Sequence, residues 1–199
     1  EEMQLGTQAY SQVKTDPKVH LSQDPREIEP VKRVAARIID AAKRSKYADM
    51  AKQFQWEVTV IKDDKTMNAF ALPGGKIAVY TGIFPVAKTE AGLAAVLGHE
   101  VTHALARHGA ERMSEGQLTN AALQVAGAVI GVSGGSPLLS QTAMAALGAG
   151  AQVGVLLPFS RAHESEADYV GVLLAADAGY NPQESVHLWE RMEQLSGGG

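Results

Sequence analysis

The chain has 199 residues, of which 45% are hydrophobic and 20% are charged, and these values are ordinary for a folded domain with a sizeable core. Its formal net charge of −4 gives no electrostatic reason to expect nucleic acid or an anionic membrane surface as a partner. Six histidines and no cysteine exclude disulfide bonds and restrict any metal site to nitrogen and oxygen ligands. We expect a single domain over residues 1–199.

The first residues, "EEMQLGTQAY", contain no initiator Met, no basic region and no apolar stretch of the kind found in signal peptides. The chain is therefore expected to be a mature or trimmed protein, with any signal peptide upstream of it. No segment reaches the roughly 18 consecutive apolar residues of a transmembrane helix, so no membrane span is predicted.

The first half of the chain changes from helical to strand-like periodicity. A short helix is predicted over residues 5 to about 15, and three prolines then interrupt regular structure in "TDPKVHLSQDPREIEP". From Val31 to about Phe54, apolar residues recur at helical spacing, and Pro30 suits the first turn of that helix.

Three segments rich in β-branched and aromatic residues come next: "WEVTVI" (56–61), "MNAFAL" (67–72) and "KIAVY" (76–80). The segments "KDDK" and "PGG" supply turns between them. This pattern predicts a small antiparallel sheet of about three strands.

The second half of the chain is predicted to be helical, over about 89–109, 161–178 and 181–195. The alanine- and glycine-rich residues 119–157 predict two further close-packed helices, joined by the Ser-Gly-Gly-Ser-Pro turn at 133–137. A flap or a membrane-touching hairpin is the alternative for that segment. The predicted fold class is α+β and mostly helical.

The segment "LGHEVTHALARHG" (97–109) carries two histidines four residues apart, with a glutamate directly after the first. Positions i and i+4 of an α-helix lie on one face, so His99 and His103 can bind the same ion. Glu100 is rotated about 100° from His99 and lies beside the ion without occupying a coordination position. The motif predicts a zinc site in which Glu100 is the general base beside the metal-activated water.

A solvated helix that carries two imidazoles by coincidence is the alternative interpretation of this motif. The flanking residues argue against it, because most of them are apolar: Ala94, Ala95, Val96, Leu97, Val101, Ala104, Leu105 and Ala106. Two imidazoles and a carboxylate buried among them without a partner would be costly, and a metal ion supplies that partner.

A catalytic zinc ion needs a third protein ligand. The metzincin pattern is excluded, because Gly109 occupies the position of its third histidine. The segment "SRAHESEADYVG" (160–171) offers carboxylates instead. Glu164 and Asp168 share a helix face, so one can bind zinc while the other accepts a hydrogen bond from a zinc histidine. We favour Glu164 as the ligand, and helix geometry turns Glu166 away from this face.

His-Glu-Val-Thr-His, with the later Ser-Arg-Ala-His-Glu-Ser-Glu-Ala-Asp, resembles the zinc metallopeptidase family that includes the CAAX prenyl proteases, HtpX, Oma and the periplasmic BepA-type peptidases. The segments "NAFALPGGKIAVYTGIF" (68–84) and "AGYNPQESVHLWERM" (178–192) resemble the family's elements before and after the two ligand helices. The resemblance implies a gluzincin-type domain with one Zn²⁺ per chain, Glu164 as third ligand, and Asp168 as its helper in the catalytic set.

The resemblance also implies a bacterial branch without a membrane span. Its members are endopeptidases of the periplasm or envelope that cut unfolded or misassembled proteins, with peripheral or lipid-anchored membrane association through an upstream segment. Relatives of this branch usually carry a Ser-Thr-His-Pro segment after the last helix, whereas this sequence ends at "SGGG", so a truncated C-terminal segment is expected. A non-catalytic zinc-containing chaperone or assembly factor is the alternative function, for which a base at Glu100 would be unnecessary.

The strand "NAFALP" is the predicted place for substrate. An extended peptide can add itself to a sheet edge and be held there by main-chain hydrogen bonds. Asn68, Ala69, Phe70 and Ala71 are therefore candidates for binding extended, unfolded polypeptide. A strand with a purely structural role is the alternative.

Two weaker signals complete the sequence. The segment "GVSGG" (131–135) matches a hydrolase nucleophile elbow, with Asp168 or Asp177 and His187 in the required chain order. It is excluded because such an elbow must follow a parallel strand, whereas this one lies between two alanine-rich helices. Arg161 and His187 are candidates for stabilising an oxyanion, although a helix-start ion pair and a half-exposed helix residue are the simpler interpretations.

Overall fold

The computed structural model describes residues 2–111, 114 and 159–196, so the helices predicted within 119–157 and the "GVSGG" motif lie outside them. The described helices are α1 (Glu2–Thr15), α2 (Pro25–Ala42), α3 (Ala48–Gln53), α4 (Phe84–Ala87), α5 (Glu90–Leu105), α6 (Arg161–Asp177) and α7 (Glu184–Ser196). The described strands are β1 (Glu57–Ile61), β2 (Ala69–Leu72) and β3 (Lys76–Tyr80), with a 3₁₀ turn at Thr81–Ile83 after them. The predicted α+β, mostly helical fold class is confirmed.

The helix predicted over 31–54 is wrong at both ends. The structure starts α2 earlier, after Asp24, whose carboxylate caps the helix, so Pro30 lies inside the helix and not in its first turn. The helix ends at Ala42, whose carbonyl oxygen accepts a hydrogen bond from the hydroxyl of Ser45. The next helix, α3, begins after this turn. The face of α2 that enters the core consists of Val31, Val34, Ala35, Ile38, Ala41 and Ala42.

The sheet is mixed, and the predicted all-antiparallel pairing is wrong. The strand order is β1–β3–β2, with β2 antiparallel and β1 parallel to the central β3. Gly74 and Gly75 have φ angles of 92° and 93°, which permit the tight turn between β2 and β3. The amide of Asp63 donates to the hydroxyl of Thr81 just beyond β3. The link after β1 therefore crosses the end of β3 before β2 begins on its other side.

The central helix of the fold is α5, which contacts α2, β2, α6 and α7. The hydroxyl of Thr89 caps it by accepting a hydrogen bond from the amide of Gly92. The main chains of α5 and α6 touch where Gly98 meets Gly171. A Cβ atom on Gly98 would lie 2.6 Å from the carbonyl oxygen of Gly171, and one on Gly171 would lie 2.8 Å from the amide nitrogen of His99. Only glycine permits this approach.

The helix predicted near the start of the chain is confirmed as α1, which packs on the sheet and forms a second, smaller core. This core consists of Ala9, Tyr10, Val13, Ile61, Phe70, Leu72, Ala78 and Tyr80. The larger core lies between the sheet and the remaining helices. Among the described residues, no helix combines the length and the apolar character needed to cross a membrane.

Candidate metal centre

His99 and His103 lie one turn apart on α5, and their rings meet in a buried position. They are 6% and 4% exposed, and their Nε2 atoms lie 3.1 Å apart. The ring of His103 stacks on Phe159 with centroids 4.1 Å apart, and the ring of His99 meets Trp189 edge-on at 5.0 Å. Aromatic packing from two other segments thus holds both imidazoles in place.

Glu164 reaches the same point from α6. This helix begins after Ser160, whose hydroxyl accepts a hydrogen bond from the amide of His163, and Glu164 lies in its first turn. One carboxylate oxygen of Glu164 lies 3.0 Å from Nε2 of His99, and the other lies 3.2 Å from Nε2 of His103. The structure therefore brings together the three residues predicted to bind metal.

The donor atoms of these three residues fit a metal ion. They all lie within 4.8 Å of one another. In a tetrahedral zinc site with ligands about 2.0–2.1 Å from the ion, neighbouring ligand atoms lie about 3.3 Å apart. The separations of 3.0, 3.1 and 3.2 Å in this cluster are close to that spacing. Two imidazoles and one carboxylate are also a donor set of catalytic zinc sites, which keep a fourth position open.

The charges of the cluster are coupled. Burial acts to lower the pKa of His99, but hydrogen bonds to Asp168 and Glu164 and the charge of Glu100 outweigh burial and raise it to about 10. Contacts with the imidazoles of His103 and His99 hold the pKa of Glu164 well below its usual range. Burial lowers the pKa of His103. The cluster therefore holds its positive charge on His99 in the absence of an ion, and a bound cation would replace that proton.

Asp168 lies behind His99, one turn along α6 from Glu164. Its Oδ1 atom is 3.0 Å from Nδ1 of His99, and its side chain is 56% exposed. The contact is an ion pair, because Nδ1 of His99 makes no hydrogen bond of normal geometry in the structure. A carboxylate in this position can accept a proton on Nδ1 and so leave the Nε2 lone pair of His99 directed at the cluster. This is the shared-face arrangement predicted from the spacing of the two carboxylates.

Glu100 follows His99 on α5 and is half-buried. Its negative charge contributes to the raised pKa of His99, so it acts on the cluster electrostatically. It does not belong to the group of three residues whose donor atoms converge. A base needs this kind of position, close to the reacting atoms but outside the donor set.

A further group of residues at the end of α5 was missed by the sequence analysis. Nδ1 of the buried His108 lies 2.9 Å from Nδ1 of His103. The ring of His108 stacks on His163 with centroids 4.2 Å apart, and its Nε2 lies 3.4 Å from Oε2 of Glu166. Glu166 also accepts a hydrogen bond from the hydroxyl of Tyr47. The only sequence signal was a third histidine shortly after the first two, and helical spacing does not relate it to them.

Arg161 and His187, the candidates for oxyanion stabilisation, are both exposed. Nδ1 of His187 lies 3.3 Å from a carboxylate oxygen of Glu184 on its own helix, α7. The simpler interpretation, a half-exposed helix residue, agrees with this environment for His187.

The residues predicted to bind substrate lie at one edge of the sheet, because β2 is an outer strand. Ala69, Phe70 and Ala71 are 4%, 1% and 5% exposed, and Asn68 is half-buried. The side chains of Ala69, Phe70 and Ala71 belong to the two cores, so they do not line an open groove. The strand packs against α5, the helix that carries both histidines of the cluster.

Two histidines one turn apart, with a glutamate between them and a carboxylate from another helix, are typical of metal-dependent peptidases. Comparison with known proteins identifies the family. Residues 25–197 match the model of Peptidase family M48, and the chain belongs to this family. The family predicted from the motifs is therefore confirmed.

Curated relatives carry endopeptidase names. Mitochondrial metalloendopeptidase OMA1 of Schizosaccharomyces pombe is 41% identical over 167 residues, which are 84% of this chain and 44% of that protein. Its namesake in Saccharomyces cerevisiae is 30% identical, over 100% of this chain and 56% of that protein. The Beta-barrel assembly-enhancing protease of Escherichia coli is 32% identical, over 67% of this chain and 27% of that protein. The chain spans about half the length, or less, of these relatives.

These names agree with the predicted enzyme class, a metalloendopeptidase. They do not single out a bacterial branch, because the OMA1 relatives are mitochondrial by name and the assembly-enhancing proteases come from bacteria.

Proposed function

We propose that residues 1–199 form a single zinc-dependent endopeptidase domain in which His99, His103 and Glu164 bind one Zn²⁺. The observation that carries this proposal is the convergence of two buried imidazoles and a carboxylate from a second helix on one point. The donor set and its spacing match those of catalytic zinc sites. Membership of Peptidase family M48 supports the same assignment.

When bound, zinc supplies Lewis acidity toward a carbonyl oxygen and lowers the pKa of a water molecule toward neutrality. Glu100 would serve as the general base that takes a proton from the attacking water, and as the acid that returns it to the leaving amine. Asp168 acts indirectly, by accepting the Nδ1 proton of His99 and so keeping the Nε2 lone pair directed at the ion. The 3.0 Å separation of these two atoms supports this role.

The substrates that we propose are unfolded or misassembled polypeptides in extended conformation. A strand added beside β2 would hold such a chain by its backbone, through Asn68, Ala69, Phe70 and Ala71, without requiring a particular side chain. Because these residues are now buried or half-buried, the edge has to open before a peptide can pair with it. The name of the assembly-enhancing protease relatives supports substrates of this kind.

For location, we propose a bacterial periplasm or envelope, with peripheral or lipid-anchored membrane association. The bacterial relatives support it, whereas the names of the OMA1 relatives favour a mitochondrial compartment as the second candidate. Fractionation of the source cells with an antibody against this chain distinguishes the two.

A zinc-containing assembly factor that grips clients without cutting them is the second candidate function, because one group of relatives is named for assembly as well as proteolysis. Glu100→Gln distinguishes the two functions. We expect the variant to retain stoichiometric zinc by elemental analysis and to lose cleavage of unfolded casein by more than about 100-fold, since general acid–base catalysis contributes about 10²–10⁴-fold.

The matched control for this test is Glu190→Gln on the exposed side of α7, which should cleave at the parent rate. A chelator should abolish cleavage by the parent, and added zinc should restore it. Equal cleavage by Glu100→Gln and the parent would refute the base assignment. A parent that binds zinc but never cleaves would favour the assembly factor.

A further inference from the structure

The end of α5 bends a third imidazole back onto the metal ligand His103. The helix ends at Leu105, and Arg107 adopts a φ of 62°, in the left-handed region. This turn brings His108 against the face of α5 that carries the cluster, with Nδ1 of His108 2.9 Å from Nδ1 of His103. His108 is 1% exposed, so this contact is sheltered from competing water.

We infer that His108 is a positioning residue for the metal ligand His103: it accepts the Nδ1 proton of His103 and thereby directs the Nε2 lone pair of His103 at the ion. The inference rests on the proposed function, because it takes His103 to be a ligand. It concerns the partner of the second zinc histidine, as Asp168 is the partner of the first. A ligating imidazole almost always donates its other N–H to such a partner.

The direction of the hydrogen bonds follows from the last acceptor. The hydroxyl of Tyr47 donates to Oε1 of Glu166, and Oε2 of the same carboxylate faces Nε2 of His108 at 3.4 Å. A carboxylate can only accept, so Nε2 of His108 carries a proton. The neutral ring then has a lone pair on Nδ1, and His103 must donate to it from its own Nδ1. Nε2 of His103 lies 3.2 Å from a carboxylate oxygen of Glu164, and with the proton of the ring on Nδ1 it is available to an ion bound beside that carboxylate.

The opposite direction creates a conflict. If His108 donated from Nδ1, its neutral ring would present a lone pair at Nε2 to the carboxylate of Glu166, and His103 would carry its proton on Nε2, where the ion should be. With neutral rings, one arrangement satisfies the contacts from Tyr47 to Nδ1 of His103, and it is the one that leaves Nε2 of His103 available to an ion.

A pair of amide substitutions tests this inference. In asparagine the side-chain oxygen occupies the position of Nδ1 of histidine, and in glutamine the terminal group occupies that of Nε2. His108→Asn keeps an acceptor for His103, and His108→Gln keeps only the contact with Glu166. We expect zinc affinity, measured by competition with a chromogenic chelator, to stay within about threefold of the parent in the first. It should fall about 10–100-fold in the second and in His108→Leu, the usual effect of losing such a partner.

The control is His163→Asn, which removes the ring stacked on His108 but no contact with His103. It should bind zinc like the parent. Melting temperatures of the chelated variants report folding, and the absorption spectrum of bound Co²⁺ reports ligand geometry. Parent-like zinc affinity in folded His108→Gln or His108→Leu would overturn the inference alone, as would a loss confined to His108→Asn. A parent without zinc would overturn the proposed function as well.

Discussion

The two imidazoles of the cluster face one point but are held from behind by different regions of the molecule. Behind His99 stands Asp168, a carboxylate on α6 with a 56% exposed side chain. Behind His103 stands His108, a 1% exposed imidazole that follows α5. We call Asp168 the first arm of the site and His108 the second arm. The first arm supplies a full negative charge that water and salt can screen. The second arm orients the ring of His103 without adding a charge, and its buried surroundings screen electrostatic interactions very little.

This difference has a consequence for each ligand. The first arm, Asp168, makes His99 the more basic of the two imidazoles, with a pKa raised to about 10 despite its burial. Burial leaves His103, whose partner His108 carries no negative charge, with a lowered pKa and hence neutral. A cation that enters the cluster must therefore displace a proton from one imidazole and none from the other. Substitutions that touch one arm at a time separate these contributions.

Removing Glu164, the carboxylate that faces Nε2 of both imidazoles, should have the largest effect. We expect Glu164→Ala to weaken zinc binding by more than about 100-fold, beyond the range typical for a ligand's hydrogen-bond partner. Glu166→Ala is the matched control, because it removes a carboxylate from the same helix that faces His108 and not the ion. Its zinc should be retained at stoichiometric loading by elemental analysis. Retention in Glu164→Ala with loss in Glu166→Ala would reverse the ligand assignment.

Protein from which a chelator has removed the metal should show the extra proton on His99 that the first arm stabilises. The folded-state pKa of His99 lies above its ordinary value of 6.5, so the protonated ring stabilises the fold fully below about pH 6.5. That contribution is lost as the pH rises through about 10. A ¹⁵N NMR titration of the imidazoles should find His99 charged at pH 8 while His103 and His108 are neutral. Titration of His99 at or below its ordinary value would contradict the contrast between the arms.

Asp168→Asn should neutralise the first arm while keeping an oxygen that accepts the Nδ1 proton of His99. We expect zinc affinity to fall about tenfold at low ionic strength, the lower end of the effect of such partners. Because the side chain is 56% exposed, the difference from the parent should shrink as salt screens the lost charge. Zinc titrations of both proteins at two salt concentrations measure this. A deficit that does not change with salt would mean that orientation, and not charge, is the contribution of Asp168.

The smallest effect is expected at the far end of the second arm. Tyr47→Phe removes the hydroxyl that donates to Glu166, three hydrogen bonds away from the ion. Water can replace that donor at a half-buried position, so the loss should be about 1 kcal/mol of unfolding free energy and less than about threefold in zinc affinity. Urea unfolding and zinc competition measure the two. A tenfold loss of affinity would show that the arm is more strongly coupled along its length than proposed.

The sequence was sufficient to predict the arrangement of side chains wherever the period of a single α-helix determines it. His99 and His103, like Glu164 and Asp168, are four residues apart within a single helix, so their shared faces follow from 3.6 residues per turn. The burial of α5 follows in the same way from the apolar residues around the motif. These local regularities gave the two pairs, whereas the expectation that Glu164 joins the two histidines rested on the need for a third ligand and on the family resemblance.

The missing features depend on contacts between segments. His108 follows a helix end and a left-handed residue, Arg107, and no helical period relates it to His103. The strand patterns gave the three segments but not their order, because parallel pairing of β1 with β3 depends on where the chain crosses after Ile61. Nor does alternation along β2 reveal that Ala71 and its neighbours are covered on both faces.

The contact of Gly98 with Gly171 also has a meaning for any attempt to re-engineer the metal selectivity of the site. The gap between the two ligand-bearing helices is limited by main chain against main chain, next to the amide of His99. No smaller residue can bring the two helices closer together, since glycine has no side chain to remove. Evolution or design can therefore widen the coordination sphere in steps by inserting Cβ atoms at this crossing, but cannot tighten it there.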